Sequence, residues 1–176
     1  MKFIISSTSM LTSLTAVSKA ISAKPVLPIL ENILIESRNG ELYATASDRE
    51  TTIETKLNIE SIEGEGKIAM STKLTDILKE FPELPLQLET NADGTSMKIT
   101  SEKGKFDVPG ASADDYPTPN IYGEAETVIT TSCSTMLDGI NKSEFATGND
   151  ELRPQMNCIL IEMNNDCFTF VAFDAH

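Results

Sequence analysis

The stretch from Asn32 to Asp48 reads NILIESRNGELYATASD, and a near copy, CILIEMNNDCFTFVAFD, runs from Cys158 to Asp174, 126 residues later. Sliding residues 1–50 onto 127–176 without a gap gives 12 identities, among them Ser6 with Ser132, Met10 with Met136, Pro28 with Pro154, Ile33–Glu36 with Ile159–Glu162, and Asp48 with Asp174. Matches that stay in register through helix-like, turn-like and strand-like stretches are more than a common strand word would produce. A repeat of this length is a domain, not a solenoid module. Two domains of one build are therefore expected: the first over residues 1–125 with its exit linker, and the start of a second over 126–176. So short a second stretch is too small to close a comparable core, so the chain is expected to be a piece of a longer protein.

Within the first domain the apolar period changes along the chain. Met10, Leu14, Val17 and Ile21 recur at helical spacing, with Ser7 or Thr8 as cap and Pro25 as stop. Ile29 to Ile35 is nearly continuous apolar sequence, as in a well-buried strand. Leu42, Ala44 and Ala46 alternate with polar residues, and so do Ile53, Thr55, Leu57 and Ile59; both stretches predict half-buried strands, with Asn39-Gly40 as a hairpin turn before the first. The order then recurs. A short strand from Gly66 to Ser71 leads to a helix with Leu74, Ile77, Leu78 and Phe81 on one face, capped by Ser71 or Thr72 and broken by Pro82. Strands follow around Leu86–Glu89, Met97–Thr100 and Lys105–Val108. Strand, helix and three strands, twice over, predict an α+β fold with two helices packed on one face of antiparallel sheets. Pro109 to Glu126 lacks periodicity and reads as a linker, after which another strand and helix begin at Thr127.

The net charge of −13 argues against a nucleic-acid partner if taken as a total, but its distribution is uneven. Residues 31–65 hold 3 basic and 9 acidic side chains, whereas 8–24 hold Lys19 and Lys24 with no acid, and 67–79 hold Lys67, Lys73 and Lys79 against Asp76 alone. If both helices lie on one face, that face is positive and suits a loosely held polyanion. No aromatic interleaves these lysines and no arginine cluster is placed to read bases, so only sequence-neutral backbone contact is supported. A second reading stays open: an acidic, non-enzymatic protein-binding domain pair whose helix lysines are simply solvated.

No phosphate-binding glycine loop is present. His176 is the sole histidine and stands last, with nothing to orient it. Asp114 and Asp115 read as solvated turn residues, and Asp48 and Asp174 as structural acceptors at strand ends. Cys133, Cys158 and Cys167 are odd in number, lack metal-ligand spacing and are expected to be small buried hydrophobes. No catalytic residue, metal or cofactor is expected. No apolar run reaches the roughly 18 residues of a membrane helix, and Ser and Thr interrupt the N-terminal apolar stretch, so a cytosolic protein is expected.

Several stretches together resemble the β sliding clamps of bacterial DNA polymerase III: MKFIISSTSMLTSLTAVSKAI with KPVLPILENILIE, LYATASDRETTIE, KFDVPGASADDYPTPN, and ELRPQMNCILIEM with VAFDAH. The resemblance runs through the whole chain in order. It implies a DNA-clamp fold in a three-domain protein, two copies of which join head to tail around duplex DNA, with helices lining the hole and sheets outside. It implies a non-catalytic processivity factor whose partners are double-stranded DNA, the replicative polymerase and the clamp loader, the last two held by short peptides. By resemblance, Lys24 stands at a DNA-contacting position, and Lys73 and Lys79 on a helix facing the hole; Lys19, from the charge pattern of the first helix, is expected to face DNA with them. Phe106 and Val108 match apolar edge-strand positions that meet the neighbouring subunit. Arg153, Met156, Phe173 and His176 match part of the wall of the partner-peptide pocket, although Pro154 and Gln155 stand where aromatic residues are frequent in the family.

Overall fold

Alternation in the sequence becomes an inside and an outside in the computed structural model, which describes residues 1–102, 104–117, 129–150, 152–164 and 166–174. The chain divides into two units, Met1–Ile121 and Tyr122–His176.

In the first unit, strand β1 (Lys2–Ser6) runs directly into helix α1 (Ser7–Ser18), whose Met10, Leu14 and Val17 are fully buried, as the spacing predicts. The cap falls one residue earlier than expected, on Ser6. Ser7 is taken up by a longer-range contact instead. Its Oγ donates to the Pro82 carbonyl at 2.8 Å and accepts from the Leu84 N–H at 3.2 Å, so the start of α1 is fastened to the exit of the second helix. A single-turn 3₁₀ helix, Pro28–Glu31, leads into β2 (Asn32–Arg38), which turns at Asn39-Gly40 into β3 (Glu41–Ser47). Both turn residues have positive φ, 53° and 77°, the geometry that favours Asn-Gly in a two-residue hairpin.

The stretch expected as one strand from Ile53 to Ile59 is two. Strand β4 (Thr52–Leu57) pairs with β3, then the chain passes through Asn58 and β5 (Ile59–Glu63) pairs with β1. Periodicity could not show this, because the inward residues keep alternating while the pairing partner changes. Next come β6 (Gly66–Ser71), α2 (Lys73–Lys79), β7 (Pro85–Thr90), β8 (Ser96–Ser101) and β9 (Gly104–Ala111). All pairings are antiparallel, in the order β4-β3-β2-β6-β9-β8-β7-β1-β5.

Strand β9 mirrors the β4–β5 step. Gly104 to Pro109 pair with β8, and then Gly110 and Ala111 pair with Met70 and Ala69 of β6. Gly110 is needed at this crossing: a Cβ there would lie 2.9 Å from Ile68 Cδ1 and Met70 Sδ and 3.0 Å from the Ala69 carbonyl. The unit is thus one strand-helix-strands motif used twice, each half lending its first strand to the sheet of the other (β1 to β7, β6 to β2), with the end of its own last strand laid beside it. The buried faces of both helices share one core with the inward residues of the whole sheet, among them Phe3, Ile35, Leu42, Ile68, Leu74, Leu88 and Ile99.

The linker begins later than the sequence suggests. Strand β9 continues through Ala111, and Ala113 and Tyr116 fold back to form a small second core with Leu30 and Ala69 on the outer side of the sheet. Residues 118–128, which take in the rest of that stretch, lie outside the described residues.

The second unit holds helix α3 (Cys133–Ser143), 3₁₀ turns at Glu144–Ala146 and Pro154–Asn157, and the hairpin β10 (Leu160–Met163) and β11 (Phe168–Val171). The 126-residue offset holds for α3 against α1, for the 3₁₀ turn Pro154–Asn157 against Pro28–Glu31, and for the hairpin. Leu34↔Thr45, Ile35↔Ala44, Glu36↔Tyr43 and Ser37↔Leu42 in β2–β3 are answered by Leu160↔Val171, Ile161↔Phe170, Glu162↔Thr169 and Met163↔Phe168. The strand expected ahead of α3 does not form over residues 129–132. Its counterpart β1 is held on both sides, by β5 and β7, and the described residues of this unit offer no such neighbours. The cysteines also depart from expectation: Cys133, Cys158 and Cys167 are exposed, because one helix and one hairpin are too little to enclose a side chain. Among the described residues no helix is long and apolar enough to cross a membrane.

Candidate functional site

The two helices of the first unit touch each other, and the Ser7 contacts with Pro82 and Leu84 bring the start of α1 to the end of α2. They therefore run antiparallel, with Lys73 placed toward the Lys19 end of α1 and Lys79 toward its start. Lys19, Lys24, Lys73 and Lys79 are all exposed, Lys19 as the C-cap of α1 and Lys24 in the irregular segment beyond it. The outward stripe of α1, Thr8, Thr12, Thr15, Ala16 and Lys19, carries no carboxylate. On α2 the lysines have company. Lys79 Nζ pairs with Asp76 Oδ1 at 2.8 Å, and Glu80 is exposed beside it. Lys67, grouped with these by sequence, belongs elsewhere. It precedes the inward Ile68 on β6, so it points to the sheet's other face, where it pairs with Asp114 at 3.1 Å. That pairing, with help from the Ser112 hydroxyl, holds the Asp114 carboxyl below the usual carboxylate range.

Phe106 and Val108 share a side of β9, opposite Ile99 and Met97 of β8. Their fates differ. Val108 is 7% exposed and packs into the core of the first unit. Phe106 sits near the open end of the sheet, 44% exposed, with its ring edge-on to Phe81 at 5.6 Å. Among the described residues, β9 is paired on one side only from Gly104 to Pro109, so Phe106 stands beside an open strand edge.

In the second unit Met156 and Phe173 line one cleft of about 420 Å³ with Ile159, Leu160 and Val171. The sequence did not point to the last three, whose strand alternation reads as ordinary core. Arg153 is turned to Asp150, its Nε 2.8 Å from Oδ2, and that contact comes first in holding the Asp150 carboxyl low. His176 lies outside the described residues. Among the described residues no group of three or more His, Cys, Asp or Glu is placed to hold a metal.

The profile of the family described as "DNA polymerase III beta subunit, N-terminal domain" matches residues 1–121. This chain belongs to that family. It is 29% identical to the beta sliding clamp of Synechocystis sp., with all of the chain and 46% of the relative covered, and 30% identical to that of Staphylococcus aureus, with all of the chain and 48% of the relative covered. A crystal structure of a DNA polymerase III beta subunit from Eubacterium rectale superposes with a TM-score of 0.88 at 29% identity, over all of this chain and 48% of that one. One from Thermotoga maritima gives 0.85 at 27%, over 98% of this chain and 47% of that one. The chain spans about half the length of the curated relatives it matches.

Within this beta-subunit fold, the outer sheet face is laced by ion pairs that sequence reading missed. Arg38 reaches both Glu36, 2.7 Å away, and Glu54, 2.5 Å away, and lies 4.7 Å above the Tyr43 ring; Lys56 bonds to Glu41, which also accepts from the Tyr43 hydroxyl. Period-2 alternation places all of them outward, but only the strand register makes them neighbours. Asp48 is a structural acceptor, as expected. Its Oδ1 takes the N–H groups of Glu50 and Thr51 at 3.0 and 2.7 Å, and the latter comes first in holding its carboxyl low.

Proposed function

We propose that this chain supplies the first domain and the opening of the second in a ring-forming sliding clamp, a non-catalytic cytosolic factor that encircles duplex DNA and tethers a replicative polymerase. The observation that carries this reading is the family match over residues 1–121, together with a helix pair whose outer face has lysines and hydroxyls while carboxylates crowd the opposite sheet face. Lys19, Lys24, Lys73 and Lys79 are assigned to the DNA side. Contacts there are few, solvated and blind to sequence, so a ring can slide while topology keeps it on the duplex. Tethering then raises the local concentration of polymerase at its template.

Phe106 and the open edge of β9 are assigned to the neighbouring subunit, by strand addition. Met156 and Phe173 are assigned to partner peptides from polymerase and clamp loader, and by the family resemblance Arg153 and His176 are assigned to the same partners. The match of β10–β11 to β2–β3, pair for pair, supports reading the second unit as the opening of another copy of the first.

The test loads the protein that contains this chain onto nicked circular plasmid, using clamp loader and ATP, and then linearises the plasmid. Retention on circles and loss from linear ends is the expected result; equal retention on both defeats the proposal. The 176-residue chain alone is expected to show only weak retention, erased by salt and identical on both forms.

A further inference from the structure

We infer that the outer face of the first unit carries a docking cleft for a basic partner peptide with an apolar anchor residue. The cleft, about 550 Å³, lies on the side of the sheet away from the helices and falls within the size range of ligand-holding clefts. Residues of the first unit alone build it, so the inference does not rest on the clamp reading.

One wall is apolar and held in place. Leu34 is the apolar member of the outward row of β2, which continues with Glu36 and Arg38, and it meets Ala113, Tyr116 and Pro117. Tyr116 is fixed there by its hydroxyl, which donates to the Asn32 and Thr45 carbonyls at 3.2 and 3.4 Å. A wall anchored before binding costs little to order. The other end is charged. Glu36 and Glu54 both converge on Arg38, and Thr45 Oγ1 donates to Glu54 at 3.1 Å. Two carboxylates thus share one guanidinium, and Lys67, directly across from Glu36 in the strand register, is paired with Asp114, so that Glu36, Glu54 and Asp114 outnumber Arg38 and Lys67 by one charge. An occupant that complements this cleft places an aliphatic or aromatic side chain against Tyr116 and a lysine or arginine beside Glu54. An apolar anchor flanked by complementary charge is a common arrangement at protein–peptide contacts.

The test uses the ¹⁵N-labelled chain and three synthetic probes: acetyl-Lys-Leu-Phe-Lys-amide, acetyl-Glu-Leu-Phe-Glu-amide and acetyl-Lys-Gly-Gly-Lys-amide. The first is expected to shift amide resonances of Leu34, Glu36, Thr45, Glu54 and Ala113 selectively, and to bind at least about fivefold more tightly than either control. Thr52→Arg, at an exposed edge-strand position on the rim, is expected to weaken binding by a similar factor, because it supplies the cation itself and fills the mouth. Leu34→Ser tests the wall separately. Shifts spread over outlying acids such as Glu60, Glu63 and Glu65, equal binding of the Gly-Gly probe, or unchanged affinity in Thr52→Arg would each overturn the inference.

Discussion

Tyr116 is the residue whose role is least visible in its neighbourhood along the chain. It sits in a run of Ser, Asp and Pro that reads as exposed linker, yet it is 7% exposed and bonded to carbonyls 84 and 71 positions earlier. Burial pushes its phenol up to about 12, against an ordinary value of 10.0. A phenol whose folded value lies above its unfolded one contributes stability that is complete below pH 10.0 and is lost as pH climbs through about 12. Tyr116→Phe is therefore expected to flatten the fall in the urea midpoint over that window. At neutral pH the same change costs about 1 kcal/mol, for the hydrogen bonds lost. A fall of unchanged steepness in the variant would show that the hydroxyl does not carry the alkaline sensitivity.

At the scale of elements, what organises the first unit is the exchange of first strands between its two halves, β1 to β7 and β6 to β2, each followed there by the last strand of its own half. The β4–β5 step uses a break at Asn58, whereas β9 makes the same change within one strand, and Gly110 lets its backbone approach β6. Gly110→Ala is expected to destabilise by about 2 kcal/mol. Ile68 and Met70 can move their ends aside, but the Ala69 carbonyl is held in the ladder. Chemical denaturation with an unchanged m-value would read this cost directly, and a loss below about 0.5 kcal/mol would mean that the crossing relaxes freely. Helix faces and turns were legible from sequence because each is decided within a few residues: Met10, Leu14 and Val17 on α1, Leu74 and Leu78 on α2, Asn39-Gly40 at the hairpin. The burial of Val108 was not. It shares an alternation with the exposed Phe106, and only distance from the sheet's end separates the two.

The two units of the whole molecule differ in what they bury. The first closes a core around both helices, while the second presents Leu137, Phe145, Leu160 and Phe173 to solvent. Amides of β2, β3, β6 and β8 are therefore expected to exchange hydrogen only through global unfolding. Those of α3, β10 and β11 are expected to exchange at least about 100-fold faster, because opening them uncovers little buried apolar surface. Equal protection in both units would contradict this. Charge divides between the faces of the first unit as well, but less simply than a count along the chain suggests: Lys67 crosses to the sheet side, and Asp76 and Glu80 dilute the helix side.

By itself the sequence determined the helices, most of the strands, the hairpin chemistry, the 126-residue repeat and the family, since each rests on residue order or on contacts a few positions long. Tertiary structure alone decided which strand borders which, that Lys67 turns away from the helices, and that Leu34 and Tyr116 wall a cleft ending at Glu54. Those outcomes depend on pairings such as Ile4 with Gln87 and Met70 with Gly110, made between distant segments once burial has selected one register from many.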